Sequence, residues 1–253
     1  MSASTLLISC EHGGNTVPAV LAPRFAGQEA LLASHRGYDP GALETAAVLA
    51  QAGEQTPVLA TTISRLVVDC NRSLGHPGLF SVVTKALPPA ERQRVLSDYY
   101  APHRAAVTQA IATRIAAGLT VVHVASHSFT PILDGVERDC DVGLLYDPRR
   151  PVEKAFCRDW LRALHLLEPG LRLRRNYPYK GVADGFPTAL RRHFAQGYCG
   201  VELEVNQQFV QDAPATFARL NTLLQQALRS ALAFVAAEFP DCAPNTPRTK
   251  KFS

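Results

Sequence analysis

Short apolar runs rich in β-branched residues alternate along the chain with longer stretches that carry apolar residues at helical spacing. The short runs predict strands at residues 6–10, 61–69, 121–125, 142–146 and 200–205. The longer stretches predict helices at residues 40–53, 88–118, Pro151–Leu167 and Pro214–Glu238. Such alternation is typical of a sheet covered by helices on both faces, and it predicts an α/β fold. Because neither a repeat nor a low-complexity linker interrupts the pattern, residues 1–240 are predicted to form one catalytic domain and 241–253 a flexible tail.

Composition and charge narrow the classes of protein that fit this pattern. Of the 253 residues, 47% are hydrophobic and 19% are charged, which is a globular balance. No apolar run approaches the roughly 20 residues that span a bilayer, and the N-terminus lacks the basic segment of a signal peptide, which predicts a cytoplasmic protein. The net charge of +4 comes partly from Arg248, Lys250 and Lys251, and the basic residues are not interleaved with aromatic ones. We therefore expect neither a membrane nor a nucleic acid as a partner.

Six cysteines are spread along the chain without a Cys-x-x-Cys pair. A disulfide framework is not expected in a chain of this length without a secretion signal. Cys10, Cys70 and Cys199 stand in apolar, strand-like surroundings, where a thiol behaves as a small hydrophobic group. All six are predicted to be structural.

Polar residues of chemical interest come at the ends of four predicted strands. They form the segments Glu11-His12-Gly13-Gly14-Asn15, Asp69-Cys70-Asn71-Arg72, Ser126-His127-Ser128-Phe129 and Glu202-Leu203-Glu204. Ligands of α/β proteins bind outside the carboxyl ends of the strands. These segments therefore supply the candidate site residues.

Each segment suggests a chemical role and also a simpler one. Histidines flanked by small residues, such as His12 and His127, are placed to bind a metal, although a Gly-rich turn with a surface histidine gives a similar pattern. The guanidinium of Arg72 and the amide of Asn71 suit a substrate carboxylate. The alternative for Arg72 is a surface ion pair at the end of a strand.

Two carboxylates, Glu202 and Glu204, lie on one face of the last predicted strand. A carboxylate inside an apolar strand is unfavourable unless it is paired or used, and it can serve as the base that activates water at a metal. The alternative is an edge strand with solvated glutamates. His123 shares a face with His127, and we expect it to be a buried histidine rather than a ligand. Asp39 precedes a predicted helix that starts at Pro40, which is typical of an N-cap.

Taken in order, these segments resemble the N-formylglutamate amidohydrolase family and, more broadly, zinc carboxypeptidases and the aspartoacylase and succinylglutamate desuccinylase group. Each motif is weak alone, but the ordered set is fairly specific and runs from residue 6 to about 207. The motifs are His12-x-x-Asn15-x-x-Pro18, Asp39-Pro40-Gly41-Ala42, Ser64-Arg65, Asp69-Cys70-Asn71-Arg72, Ser126-His127-Ser128-Phe129, Asn176-Tyr177-Pro178-Tyr179 with Asp184-Gly185, and Leu203-Glu204-Val205-Asn206.

The resemblance implies a three-layer αβα sandwich with a mixed central sheet, like that of zinc-dependent exopeptidases. It also implies one zinc ion per chain and hydrolysis of the amide bond of an N-acyl acidic amino acid such as N-formyl-L-glutamate, as in histidine breakdown. By position, the zinc ligands would be His12, Asn15 and His127, and Glu204 would be the general base.

The same resemblance assigns the residues that contact the substrate. Asn71 and Arg72 would hold its carboxylate, Arg65 would assist catalysis at the carbonyl, and Tyr179 would line the pocket. Lys180 could line the pocket too, and the roles of His35 and His103 are left open, as are the acyl group, the amino acid and the oligomeric state.

One position departs from the wider carboxypeptidase pattern. That pattern has a glutamate where this chain has Asn15, and a neutral amide oxygen is a weaker zinc ligand than a carboxylate. Asp39 is the alternative third ligand, beside its simpler interpretation as a helix N-cap.

Two other functions fit parts of the sequence. A metal-free binding protein of the same fold would account for Asn15, although it would not need to keep Glu204 and Arg72. A serine hydrolase would use Ser126 or Ser128, but the Gly-x-Ser-x-Gly context of such enzymes is missing.

Overall fold

A computed structural model describes residues 4–212 and 214–238 of the chain. The predicted flexible tail at 241–253 lies outside the described residues. Within the described part, no helix has the length and the apolar character needed to cross a membrane.

A mixed sheet of six strands forms the centre of the fold, in the order β2-β1-β3-β8-β6-β7. Its strands are β1 (Ser4–Cys10), β2 (Val58–Ala60), β3 (Thr120–Phe129), β6 (Val142–Leu145), β7 (Leu173–Arg175) and β8 (Tyr198–Asn206), and a separate hairpin contains β4 (Ile132–Leu133) and β5 (Val136–Glu137). The neighbours from β2 to β8 are parallel, whereas β6 runs antiparallel to β8. The predicted mixed sheet is confirmed.

Helices cover both faces of the sheet, which confirms the three-layer αβα architecture. They are α1 (Glu29–Leu32), α2 (Ala42–Leu49), α3 (Val82–Lys85), α4 (Pro89–Val95), α5 (Ala101–Ala116), α6 (Pro151–Leu167), α7 (Phe186–His193), α8 (Gln208–Asp212) and α9 (Pro214–Glu238). A π-helical turn at Leu96–Tyr100 joins α4 to α5. Side chains of α2, α6 and α9 share one hydrophobic core with the sheet, and those of α5 and α7 share another. Large buried residues such as Trp160 anchor these layers, each contributing about 1.5–3 kcal/mol.

The predicted strand at residues 61–69 is wrong. The strand there is β2, which ends at Ala60, and the chain then turns, with the amide of Val67 donating to the carbonyl oxygen of Ser64. Leu66, Val67 and Val68 are nevertheless buried, in a third apolar cluster formed largely by loops and short helices. Periodicity alone cannot distinguish a short apolar strand from an apolar turn that is buried elsewhere.

The predicted N-cap role of Asp39 is also wrong. Helix α2 begins at Ala42, and its N-cap is Gly41, whose φ of 80° lies in the left-handed region that glycine tolerates. The carboxylate of Asp39 instead accepts hydrogen bonds from two histidine rings. Because the helix begins two residues later than predicted, the side chain of Asp39 does not cap it and can contact the two histidines.

Candidate metal centre and active site

The two longest strands carry the centre of the site. β3 and β8 run parallel, and their register sets His127 beside Glu204 and Ala125 beside Glu202. Residues two apart share a face of a strand, and both glutamates line, with His127, an inner cavity of about 160 Å³. The predicted strand 121–125 extends to Phe129, so His127 lies within β3 rather than after it.

A glycine turn after β1 brings His12 to this cavity. A Cβ atom at Gly14 would lie only 2.9 Å from the backbone oxygen of Thr62, so the two segments can run this close only because the residue is glycine. The amide of Asp39 then donates to the carbonyl oxygen of His12 at 3.0 Å. Two segments that are distant in sequence are thereby fixed against each other.

His12, Asp39 and His127 form a buried group in which one ligand atom from each residue lies within 4.8 Å of the others. Asp39 Oδ2 is 3.2 Å from Nδ1 of His12 and 2.9 Å from Nδ1 of His127. Two imidazole nitrogens and one carboxylate oxygen, with a fourth position left for water or substrate, are a typical ligand set of catalytic zinc. The three residues are therefore candidate metal ligands.

The second nitrogen of each ring also faces a carboxylate. Nε2 of His12 is 2.7 Å from Asp69 Oδ1, and Nε2 of His127 is 3.2 Å from Glu11 Oε2. The other oxygen of Glu11 lies 3.4 Å from Nε2 of His103. Histidines that bind metals commonly donate their outer N–H to a carboxylate, which fixes both the tautomer and the ring orientation. With Nε2 of each ring facing an outer carboxylate, Nδ1 of each ring faces Asp39, the third member of the candidate ligand group.

Buried charges around the rings are strongly coupled. Burial acts to lower the pKa of His127, but the hydrogen bond to Asp39 and the negative charges of Asp39 and Glu11 outweigh it and raise that pKa well above its usual value. Burial acts to raise the pKa of Asp39, but the charge and hydrogen bonds of the two histidines hold it below its usual range. A neutral imidazole has only one N–H for the two carboxylates that it faces. The group therefore favours positive charge between its members, which either protons or a metal cation can supply.

Glu204 carries a buried carboxylate oxygen that the protein does not satisfy. Among the described residues, its Oε2 atom has no hydrogen-bond partner, and neither does Oε2 of Glu11, which lies 3.2 Å from Nε2 of His127. Burial raises the pKa of Glu204 to about 8. Glu202 differs because its Oε1 accepts a hydrogen bond from Asn71 Nδ2 at 3.3 Å. A buried, unpartnered carboxylate oxygen beside a candidate metal centre suits a base whose partner arrives with the substrate.

Two arginines bring positive charge to the inner cavity. Arg65 bridges the aspartates, with Nη1 at 3.2 Å from Asp39 Oδ1 and Nη2 at 2.8 Å from Asp69 Oδ2. Arg72 donates to the backbone oxygen of Asp184, and its Nε is 3.9 Å from Asp69 Oδ2. Both side chains keep part of their surface exposed, 25% and 31% respectively, so donors remain for a ligand.

Two hydrogen bonds hold Asn71 in place. Its backbone N–H donates to the side-chain oxygen Oδ1 of Asp69 at 2.9 Å, and its own side-chain oxygen accepts from the backbone N–H of Phe186 at 2.6 Å. Tyr179 and Lys180 line the same cavity. The structure therefore brings together every residue assigned to catalysis or to substrate binding: Glu204, Arg65, Asn71, Arg72 and Tyr179.

Asn15 does not join this group. Its side chain is exposed, and its amide donates to the carbonyl oxygen of Leu32 at 3.2 Å. The glycine turn that places His12 in the inner cavity directs Asn15 away from it, towards the loop that contains Leu32. The geometry therefore favours Asp39 over Asn15 as the third ligand.

The serines of β3 have structural partners. Ser126 Oγ donates to the carbonyl oxygen of Ala42 at 2.8 Å, and Ser128 Oγ donates to that of Pro40 at 2.7 Å. A nucleophilic serine instead donates to a histidine that acts as its base. Neither hydroxyl has the arrangement of a catalytic triad.

His123 is a buried structural histidine, as predicted. Its ring lies between Ser9 Oγ at 2.7 Å and the hydroxyl of Tyr198 at 2.8 Å. Burial lowers the pKa of His123 to about 4, so the ring is neutral at pH 7. His123 is not a member of the candidate ligand group.

The carboxylates that face Nε2 of His12 and of His127, here called the outer partners, were not assigned a role from the sequence. Glu11 and Asp69 stand inside motifs that were singled out, but the ring that each contacts belongs to a distant segment. The role of His103 was left open, and the structure buries it against Glu11. The signal that was available is that both carboxylates adjoin the end of an apolar run, where burial without a partner is unfavourable.

The model of a protein family described as N-formylglutamate amidohydrolase matches residues 4–210. Among curated proteins, no match to the chain is found.

Solved structures share the fold along nearly the whole chain. A gene product, Atu2144, from Agrobacterium tumefaciens is 30% identical with a TM-score of 0.79, and 93% of each chain is covered. An N-formylglutamate amidohydrolase from Ralstonia eutropha is 22% identical with a TM-score of 0.68, covering 94% of this chain and 96% of that one. Since the family match takes in both candidate histidine ligands, Asp39 and Glu204, the chain belongs to the N-formylglutamate amidohydrolase family and is an amidohydrolase.

Proposed function

We propose that the chain is a zinc-dependent amidohydrolase that cleaves the amide bond of an N-acyl acidic amino acid such as N-formyl-L-glutamate. The observation that carries this proposal is the convergence of His12, Asp39 and His127, with ligand atoms within 4.8 Å, beside the unpartnered carboxylate oxygen of Glu204. One zinc ion per chain is part of the proposal.

The residues of the site fit such a metal. Nδ1 of His12, Nδ1 of His127 and an oxygen of Asp39 would hold it, while Asp69 and Glu11 orient the rings from behind. When bound, zinc acidifies water and polarises a carbonyl group. Its positive charge would also replace the protons that the histidine and carboxylate group otherwise favours.

The proposed base is Glu204, which takes a proton from the attacking water and later returns it to the leaving amine nitrogen. A raised pKa helps the second step, because a carboxyl group with a pKa near neutrality both accepts and releases a proton readily. Arg65, held by Asp39 and Asp69, places a guanidinium where negative charge develops on the carbonyl oxygen. Neither step requires a covalent intermediate.

Asn71 and Arg72 would bind the substrate carboxylate. A guanidinium and an amide together present several N–H donors that match two carboxylate oxygens. Both side chains line the inner cavity and are anchored by backbone groups, so little rotamer freedom is lost when the substrate binds.

Removing the metal is expected to abolish hydrolysis of N-formyl-L-glutamate. After treatment with a chelator and its removal, the apoprotein should be inactive, and one equivalent of zinc per chain should restore the rate of formate release. A serine-directed reagent should have no effect, since neither serine of β3 has a triad partner. Less than about a tenth of an equivalent of bound zinc after zinc addition would instead favour the metal-free binding protein.

Glu11→Gln is expected to weaken zinc binding by roughly 10–100-fold, the usual effect of losing an outer carboxylate partner of a metal ligand. The change removes the negative charge behind His127 but keeps the shape of the side chain. Competition with a chromogenic chelator measures the affinity, and the exposed Glu29→Gln serves as the matched control. Unchanged affinity in a folded Glu11→Gln protein would show that Glu11 does not position the ring.

A place in cytoplasmic histidine breakdown and a single domain over residues 1–240 remain predictions. The family resemblance motivates the first, and the uninterrupted alternation of strands and helices motivates the second.

A further inference from the structure

A second cavity adjoins the first at the metal centre. This outer cavity has a volume of about 260 Å³ and shares four lining residues with the inner cavity: Asp39, Arg65, Ser128 and Tyr179. Asn71 and Arg72 line only the inner cavity, whereas His35 and Arg36 line only the outer one. The two cavities therefore meet at the candidate ligand Asp39, and different residues line them on either side of it.

Two adjoining cavities can hold the two parts of the substrate that the amide bond joins, the amine part in one cavity and the acyl part in the other. If the substrate carboxylate is held by Asn71 and Arg72, the amine part of the substrate occupies the inner cavity. The acyl group leaves the carbonyl carbon on the other side, past Arg65, and enters the outer cavity. A formyl group has only a hydrogen atom in that position, so it would leave this space unfilled.

The chemistry of the outer cavity indicates what would fill it. Leu66, Phe129 and Leu133 supply apolar walls, and the hairpin that carries Leu133 is set by a tight turn in which Asp134 and Gly135 have φ values of 50° and 77°. Such walls suit the methylene groups of an acyl chain.

Positive charge surrounds the same cavity. Arg36 lines this cavity and is exposed, and Arg65 lines both this cavity and the inner one. Arg138 is only 7% exposed and stands behind the wall, 5.1 Å from the ring centre of Tyr179 and 5.7 Å from that of Phe129. No carboxylate pairs with Arg138 among the described residues, so its charge is not neutralised locally.

The pKa of His35 reflects this surplus of positive charge. Burial lowers it first, and Arg36, Arg138 and Arg65 lower it further. The one acidic residue that lines the outer cavity, Asp39, already faces His12, His127 and Arg65.

We propose that the outer cavity binds the acyl part of the substrate, and that the enzyme prefers, over formyl, an acyl group that is longer and ends in a negative charge, as in an N-succinyl amino acid. Leu66, Phe129 and Leu133 contact its methylene groups, and Arg36 and His35 bind its terminal carboxylate. The inference rests on the proposed function, because the amide bond is placed by the metal centre and by Asn71 and Arg72.

The first test compares kcat/KM of the zinc-loaded enzyme for N-formyl-, N-butyryl- and N-succinyl-L-glutamate. N-succinyl-L-glutamate should be preferred over N-formyl-L-glutamate by about tenfold or more, which corresponds to one added ionic contact. N-butyryl-L-glutamate, which matches its length without the charge, should be the poorer of the two longer substrates. A preference for N-formyl-L-glutamate over both would overturn the inference and leave the proposed function intact.

The second test separates binding from catalysis. In Glu204→Gln, a second change Arg36→Ala should weaken the Kd of N-succinyl-L-glutamate by about tenfold more than that of N-formyl-L-glutamate, as measured by calorimetry. Arg24→Ala, an exposed arginine outside both cavities, should change neither. Equal weakening of both ligands by Arg36→Ala would overturn the inference. If no N-acyl glutamate were hydrolysed by the wild-type enzyme, the proposed function would fail, and these Kd values would still decide the inference.

Discussion

Glu204→Gln is expected to lower kcat for N-formyl-L-glutamate by roughly 10²–10⁴-fold, the usual contribution of a general base. The amide keeps the shape of the carboxylate but cannot take the proton from water. Glu204 is assigned this role because its Oε2 is buried without a hydrogen-bond partner and because it lies beside His127 in the sheet register. Zinc content should stay at one equivalent, since Glu204 is not among the proposed ligands.

The neighbouring glutamate provides the matched control for this variant. Glu202 shares the strand and the face of Glu204, but its Oε1 already accepts a hydrogen bond from Asn71. Glu202→Gln should therefore reduce kcat much less than Glu204→Gln does. The reverse order would assign the base to Glu202, and loss of zinc from Glu204→Gln would mean that Glu204 is a ligand.

Asp39→Ala is expected to abolish stoichiometric zinc binding, with hydrolysis lost in parallel. The change removes the only carboxylate of the ligand group and leaves the two imidazoles alone, so the loss of affinity should exceed the roughly 10–100-fold effect of an outer partner. Metal analysis of the purified variant after incubation with zinc measures the effect.

Asn15→Ala is the matched control for the zinc content of Asp39→Ala. The side chain of Asn15 is exposed and bonded to a backbone oxygen, so its removal should leave the zinc content unchanged. Full zinc content in Asp39→Ala together with loss of zinc in Asn15→Ala would reverse the assignment. Circular dichroism of both variants shows whether either change has disturbed the fold.

Much of the architecture could be predicted from hydrophobic patterning. Helices α6 and α9 have the predicted bounds, and strands β1, β3, β6 and β8 lie where apolar runs were seen. Strands β3, β6 and β8 are buried on both faces and therefore form continuous apolar runs, whereas α6 is buried along one face, so its apolar residues recur at helical spacing. The segment at 61–69 failed because Leu66, Val67 and Val68 are buried by a turn rather than by the sheet.

Residues that act from strand ends could be found because parallel strands bring their carboxyl ends to one edge. His12, His127 and Glu204 are of this kind, and only the order of the motifs was needed to relate them. The choice between Asp39 and Asn15 could not be made, since it depends on the direction in which the glycine turn leaves β1. That direction is set by the close approach of Gly14 to Thr62, which is a tertiary contact.

The contacts between the candidate metal ligands and their outer partners could not be predicted. Glu11 contacts His127 and His103, which lie in β3 and α5, and no local pattern relates these positions. Pairing between buried side chains depends on the packed structure, whereas a sequence pattern reports only which side chains are buried.

Anomalous diffraction at the zinc absorption edge, from crystals of the zinc-loaded protein, tests the central claim most directly. We predict one peak per chain, about 2 Å from Nδ1 of His12, from Nδ1 of His127 and from an oxygen of Asp39. A peak at another place in the chain, or no peak at this group after zinc loading, would contradict the proposed metal centre.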